Sequence, residues 1–262
     1  MIHAISVGFD NSQGAHKAVD FAVDQAIAHK ALLRVVGCLE IPILSKDPCV
    51  TLSDIAERRI VASKTLADLE QGLLQEWPEL KLEVRLVDGP ARTVLRDESA
   101  HADLLVVGRE GVNRALPWLM GSTARSLSRH SHCPIAVVPP TWDSSPTSRV
   151  LVGLEFDDRR SVATLRFAVE LAKLHGCPLI VVANELAESM LIAHYYSGVT
   201  LEGKEACGDV FGTLIGTAAT GDVIVVGTRH YGRYGASLFG ADTDPIVERA
   251  LTPVVIVPEV AR

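Results

Sequence analysis

The sequence has no excess of basic residues: 25 Lys and Arg stand against 32 Asp and Glu, giving a formal net charge of −7 and a pI near 5.7. A surface for nucleic acid or for an anionic membrane needs clustered Lys and Arg, so neither is expected as a partner, and any affinity for phosphate must be local. No apolar run approaches the roughly 18 residues of a membrane span. The stretch from Met1 to Val7 lacks the basic start and long apolar centre of a secretion signal, so a soluble, cytoplasmic protein is expected. Cysteine is sparse and scattered. The five residues Cys38, Cys49, Cys133, Cys177 and Cys207 are odd in number and without CxxC spacing. That excludes a disulfide framework and a zinc site, and leaves most of them as small core residues. A P-loop Gly-Lys-Ser/Thr sequence is missing, as is any acidic residue assignable to a Walker-type magnesium site. Neither Ser12 nor Ser122 has a histidine base in a recognised arrangement, so no catalytic residue is assigned.

What is present is a run of apolar strands separated by helices. Ile2 to Phe9 reads as a buried strand ending at Asp10-Asn11-Ser12, and the next helix places Ala15, Ala18, Val19, Ala22 and Ala26 on one face. Ala31 to Leu39 is a second strand. A helix from about Ser53 presents Ile55, Val61, Leu66, Leu69 and Leu73 as its apolar side, and Pro78 stops it. Lys81 to Val87 alternates as a third strand, a helix covers about Ala91 to His101, and Leu104 to Val107 is a fully apolar strand. A helix from Ser122 to about His130 and a strand from Ile135 to Val138 follow. Apolar strands without alternation, each followed by a helix, describe a parallel sheet covered on both faces.

The pattern then restarts. Pro139 to Ser148 is rich in proline and serine and reads as a linker. Phe167-Ala168-Val169 repeats Phe21-Ala22-Val23 at an offset of 146, and His175 repeats His29 at the same offset. Later, Asp222 to Gly227 matches Asp103 to Gly108, and Pro253 to Pro258 matches Pro134 to Pro139, at an offset of 119. The fall from 146 to 119 means that the second copy lacks 27 residues between its second and fourth strands. The expected fold class is α/β: two tandem doubly wound domains, each a mainly five-stranded parallel sheet with helices on both faces, the second copy trimmed. The expected division is 1–140, a linker at 141–148, and 149–262.

Chemistry concentrates where the strand ending at Val107 runs into Gly108-Arg109-Glu110-Gly111 and then, nine residues later, Gly121-Ser122-Thr123. Glycines let backbone N–H groups turn toward a ligand, and two hydroxyls at a helix N-terminus favour an anion. The spacing of Gly, two residues, Gly, nine residues, Gly-Ser resembles the nucleotide-binding pattern of the universal stress protein superfamily without a mismatch. Val7-Gly8-Phe9-Asp10-Asn11-Ser12 and His132-Cys133-Pro134-Ile135-Ala136-Val137-Val138-Pro139 resemble it as well, and the chain is identified as a tandem two-domain member. The resemblance implies ATP, with or without Mg, at the carboxyl ends of the first copy's strands. Asp10 would sit beside the nucleotide and Cys38 near the backbone lining the adenine. Gly108, Gly111, Gly121 and Ser122 would hold ribose and phosphates, with Val107 and Thr123 completing the cofactor-binding set. Single-copy members dimerise through their last strands, so Ile135 to Val138 and Val254 to Ile256 are expected to meet inside the chain as an intramolecular pseudo-dimer, a further homodimer being left open.

Bland readings stand beside these. Asp10 or Ser122 could be simple helix caps. Arg109, Arg114 and Arg125 bracket the glycines and either touch phosphate or lie solvated. His130, His132 and Cys133 have metal-ligand chemistry but span a helix-to-strand turn, where consecutive strand positions point apart, so no metal is assigned. In the second copy Gly227 matches Gly108 and Gly240 matches Gly121. His230, however, replaces Gly111, Ala241 replaces Ser122, Asp242 and Asp244 crowd the helix start, and Glu155 stands near the place of Asp10. That copy is expected not to bind ATP. The reading is an ATP-binding regulatory protein of the stress response with an unknown protein partner. Its alternatives are a nucleotide-independent interaction module and a slow ATPase or nucleotidyl transferase.

Overall fold

The structure is a computed structural model that describes residues 2–40, 52–111, 120–154, 159–185, 198–227 and 243–258. The first half contains β1 (Ala4–Phe9), α1 (Gln13–His29), β2 (Leu32–Leu39), α2 (Leu52–Glu76), β3 (Leu82–Asp88), α3 (Ala91–Ser99), β4 (Leu104–Gly108), α4 (Ser122–His130) and β5 (Ile135–Val138). The second half contains β6 (Arg149–Leu154), α5 (Arg159–His175), β7 (Leu179–Ala183), β8 (Leu201–Glu205), α6 (Val210–Thr217), β9 (Asp222–Gly227), α7 (Thr243–Arg249) and β10 (Val254–Val257). All ten strands form one sheet in the order β3-β2-β1-β4-β5-β10-β9-β6-β7-β8. Every neighbouring pair is parallel except β5 and β10, which run antiparallel.

The strands explain why the sheet is covered on both faces. β5, β7 and β10 are buried at every position, which only a sheet with helices on each side provides. One face packs α1, α2 and α5 through Phe21, Leu66 and Leu165, and the other packs α3, α4, α6 and α7 through Leu95, Leu127, Leu214 and Ile246. The β3 edge does not alternate as expected: it is half-buried along nearly its whole length, because α2 and α3 reach only its inner margin. On α2, Leu66 is buried and Leu69 and Leu73 are partly so, but Val61, expected on the apolar side, is exposed.

The linker is irregular yet anchored. Trp142 is buried and meets Phe21 of α1 edge-to-face at 5.7 Å, a pairing that adds about 1 kcal/mol beyond the area it buries. Asp103 accepts the His3 and Ala4 amides at 2.6 and 3.0 Å, so it stitches the foot of β4 to β1. Its repeat, Asp222, does the same for β9 and β6 by a different bond, a bidentate pair with Arg149 at 2.6 and 2.9 Å. The trimmed segment is partly accounted for: 17 residues join β7 to β8, against 42 from β2 to β3, so nothing as long as α2 fits there. Of the cysteines, Cys133 and Cys177 are core residues as expected, whereas Cys38 is half-buried and Cys207 exposed. Cys49 lies outside the described residues.

The repeat-related histidines meet where α1 and α5 cross. Gln25 is fully buried, and its amide donates to Asp24 Oδ2 at 3.0 Å and to His175 Nε2 at 3.1 Å. Burial lowers the pKa of His175, with Asp24 opposing. It also lowers that of His29, helped by His175 and the N-terminal amine and opposed by Asp103. Burial raises Asp24, against His175 and Gln25. The unfolded imidazoles take up protons below about pH 6.5 while the folded ones resist, so stability falls as pH drops through that range. Asp24 works oppositely: its raised carboxyl gives stability at low pH that is lost as pH rises through its folded value. The urea midpoint is expected to be lower at pH 5 than at pH 7.5, and His175→Gln should flatten that difference. An undiminished difference in the variant would remove this pair as its source.

Candidate functional site

In the first half the strand order reverses its course between β1 and β4: β1 leads outward to β2, and β4 leads the other way to β5. Open α/β sheets leave a crevice at such a point, outside the carboxyl ends of the strands. Every site residue proposed from the sequence belongs to the elements bordering it: Asp10 after β1, Cys38 in β2, Val107 and Gly108 in β4, Gly111 beyond it, and Gly121, Ser122 and Thr123 at the start of α4. The loop segment 112–119, with Arg114, lies outside the described residues.

Asp10 does not cap α1. Ser12 does, its Oγ accepting the Ala15 amide at 3.1 Å, while Asp10 Oδ1 accepts the Ser12 amide at 3.0 Å across Asn11, whose φ of 63° closes a tight turn. The carboxylate stays exposed at the mouth of the crevice. A Cβ on Gly111 would lie 2.8 Å from Asp10 Oδ2, so the two loops touch where Gly111 has no side chain. Gly121, not Ser122, is the N-cap of α4, and as a glycine it brings no side-chain cap to that helix. Exposed Ser122 and half-buried Thr123 therefore begin a helix whose first N–H groups face the positive end of its dipole outward. The Cys38 thiol is pushed up to about 12 by burial, then by the charges of Glu98 and Asp10, so it stays a neutral, unreactive wall of the crevice.

The three glycines have different physical reasons. A Cβ on Gly108 would lie 2.5 Å from the Gly14 carbonyl carbon and 2.7 Å from its oxygen, so this glycine lets β4 pass the start of α1 and does not by itself point to a ligand. Gly121 has an ordinary φ of −57°, and its added Cβ would meet the Arg109 carbonyl at 3.3 Å and the Gly111 amide nitrogen at 3.8 Å. Gly108→Ala is accordingly expected to cost about 1–3 kcal/mol in urea unfolding through overpacking, and Gly121→Ala much less. Equal losses would refute the distinction.

Arg109 corrects both readings offered for it, since it neither faces the crevice nor lies in water. Its side chain is buried, and Nη1 donates to the carbonyls of Val247, Glu248 and Ala250 at 3.3, 3.1 and 2.9 Å, capping the C-terminal end of α7. Nη2 pairs with buried Glu110 at 3.5 Å. The Arg109 backbone N–H donates to Val138 and its carbonyl accepts the Gly121 N–H, both at 2.8 Å. One residue thus ties β5, the start of α4 and the end of α7 together. Arg125 reinforces the contact through Glu248 at 2.9 Å. Glu110, not singled out from the sequence, places its carbonyl against Ser12 Oγ at 3.3 Å. The available signal was an Arg-Glu pair directly after a buried strand, where a glycine loop alone needs no charge. Arg109→Met should destabilise the chain by about 3 kcal/mol or more, because it removes the buried guanidinium that pairs with Glu110 and uncaps α7. A loss near zero by urea titration would count against the clamp.

The sheet, with helices on both faces and its crossover crevice, defines a doubly wound α/β protein. A protein-family model for the universal stress protein family matches residues 1–139. The chain belongs to the universal stress protein family. It is 26% identical to universal stress protein Rv2623 of Mycobacterium tuberculosis over 289 residues, covering 97% of this chain and 96% of that one. It is 29% identical to universal stress protein Rv2624c of the same organism over 187 residues, covering 70% of this chain and 66% of the relative, just under two thirds of that protein's length. A solved universal stress protein from Archaeoglobus fulgidus shares the fold at a TM-score of 0.71, with 17% identity over 97% of this chain and 98% of that one.

Proposed function

We propose that the chain is an ATP-binding regulatory protein of the stress response, with one nucleotide held by residues 1–140 and residues 149–262 acting as their structural partner across the 141–148 linker. The observation that supports the reading is the meeting of Asp10, Gly111 and the glycine-begun N-terminus of α4 at the β1/β4 crossover. Backbone N–H groups of α4 would receive phosphate oxygens, with Mg as companion cation, and the Asp10 carboxylate would accept from ribose or adenine. Ser122 and Thr123 would add hydroxyl donors, and Val107 and Cys38 an apolar wall. The role is binding with a protein partner as its output, and turnover is at most slow.

The nucleotide-independent module remains the rival, and Gly108 favours it, since packing against Gly14 explains that glycine without a ligand. The second-copy changes at Glu155, His230, Gly240, Ala241 and Asp242 lie outside the described residues, as does the Asp244 side chain, so the expected loss of ATP binding there is carried by their chemistry alone. Calorimetry of the intact chain with ATP should saturate near one nucleotide per chain, and Gly121→Val should abolish the heat while leaving the urea midpoint close to that of the parent. No binding would establish the rival. Two sites per chain would overturn the division of roles between the halves.

A further inference from the structure

We infer that the outer face of α2 is a self-association surface, on which two copies of this chain pack their α2 helices antiparallel about a two-fold axis at Ala67. Among the described residues, the large apolar side chains most exposed to water are Ile27, Ile60, Val61, Leu74, Trp77 and Leu251. Four of these six lie on α2 or one residue beyond it. Ile60, Ala67 and Leu74 are seven residues apart and stack along one line of the helix, on the side away from buried Leu66. Ile60 is 69% exposed and Leu74 41%, while Ser63 and Ala67 between them are small enough for two helices to approach closely. An intramolecular cover for this line would have to come from a neighbouring element, but α2 lies over the β2–β3 end of the sheet, where no further strand follows among the described residues.

Charge selects both the occupant and its direction. Residues 52–64 of α2 carry Arg58, Arg59 and Lys64 against Asp54 and Glu57, a formal net charge of +1 in which Arg59 is already paired with Asp88 of β3, and residues 65–76 carry Asp68, Glu70 and Glu76 with no basic residue, a net of −3. A parallel pair of α2 helices would set −3 beside −3. An antiparallel pair sets +1 beside −3 at both ends and, with the axis at Ala67, brings Ile60 against Leu74 of the second copy. The two-fold contact uses the same face of each copy, so it closes at two copies. None of Ile60, Ala67 and Leu74 is among the residues placed at the crevice or at the β5–β10 junction, so this inference does not rest on nucleotide binding.

Sedimentation velocity of the full chain over a concentration series, without nucleotide, should show a reversible monomer–dimer equilibrium. Leu74→Lys and, independently, Ile60→Glu should shift it to monomer while circular dichroism retains the parent helix content. Oxidation of Ala67→Cys should trap a covalent dimer beyond the background of the parent chain. Ile60→Cys alone should not, because the axis separates the two copies of residue 60 by about 21 Å, at 1.5 Å per residue. A parent chain that stays monomeric at every concentration, a dimer that survives both charge substitutions, or cross-linking of Ile60→Cys in preference to Ala67→Cys would each overturn the proposal.

Discussion

The antiparallel pairing of β5 with β10 is the constraint on which the rest of the molecule depends. Val137 pairs with Val254, Ala136 with Val255 and Ile135 with Ile256, and every residue of both strands is buried. Separated, each strand would be a sheet edge with an uninterrupted apolar sequence and a free row of N–H and C=O groups, which is the geometry that invites aggregation. Joined, they turn two five-stranded sheets into one of ten. Because the pairing is antiparallel, it relates the halves by an approximate two-fold axis, and the helices that precede these strands, α4 and α7, are brought within side-chain reach of each other. The Arg109 clamp exists only because of that proximity.

The elements whose signals are local were legible in the sequence nearly to the residue. Leu104 to Val107 and Ile135 to Val138 are short apolar runs between polar turns, and both are buried strands; the caps were less legible, since Ser12 caps α1 where Asp10 was weighed and Gly121 begins α4 where Ser122 was weighed. Signals that depend on how much neighbouring structure exists were read less well. Val61 belongs to an apolar stripe by periodicity, but α2 is 25 residues long and lies over the end of a sheet, so only part of the stripe finds a surface to cover. β3 lost its alternation for the same reason: an edge strand has neither a fully buried nor a fully wet face when helices reach it only from one side.

Within the candidate site the residues were legible and their reasons were not. Gly108, Gly111 and Gly121 look alike as letters in a spaced motif. In three dimensions the first accommodates the backbone at Gly14, the second the carboxylate of Asp10, and the third begins a helix. No spacing rule separates these cases, since each depends on a segment elsewhere in the chain. Arg109 is the extreme instance: its acceptors lie 138 to 141 residues downstream, so a reading of its own neighbourhood could only weigh phosphate against solvent.

The same residues show how a duplicated fold acquires direction. By the offset of 119, the counterpart of Arg109 is Thr228, that of Arg125 is Asp244, and that of Glu248 is Arg129. The backbone at the β5–β10 junction is close to symmetric, but the charges across it are not: the first half contributes the arginines, and the second contributes a glutamate and the carbonyls at the end of α7. Two identical subunits meeting at this junction would have to place every such group twice, so an arginine useful on one side would recur on the other. Covalent tandem linkage removes that requirement. It lets the end of α7 serve as a cap acceptor for the loop after β4, so that the start of α4 is held from behind through the Arg109 backbone.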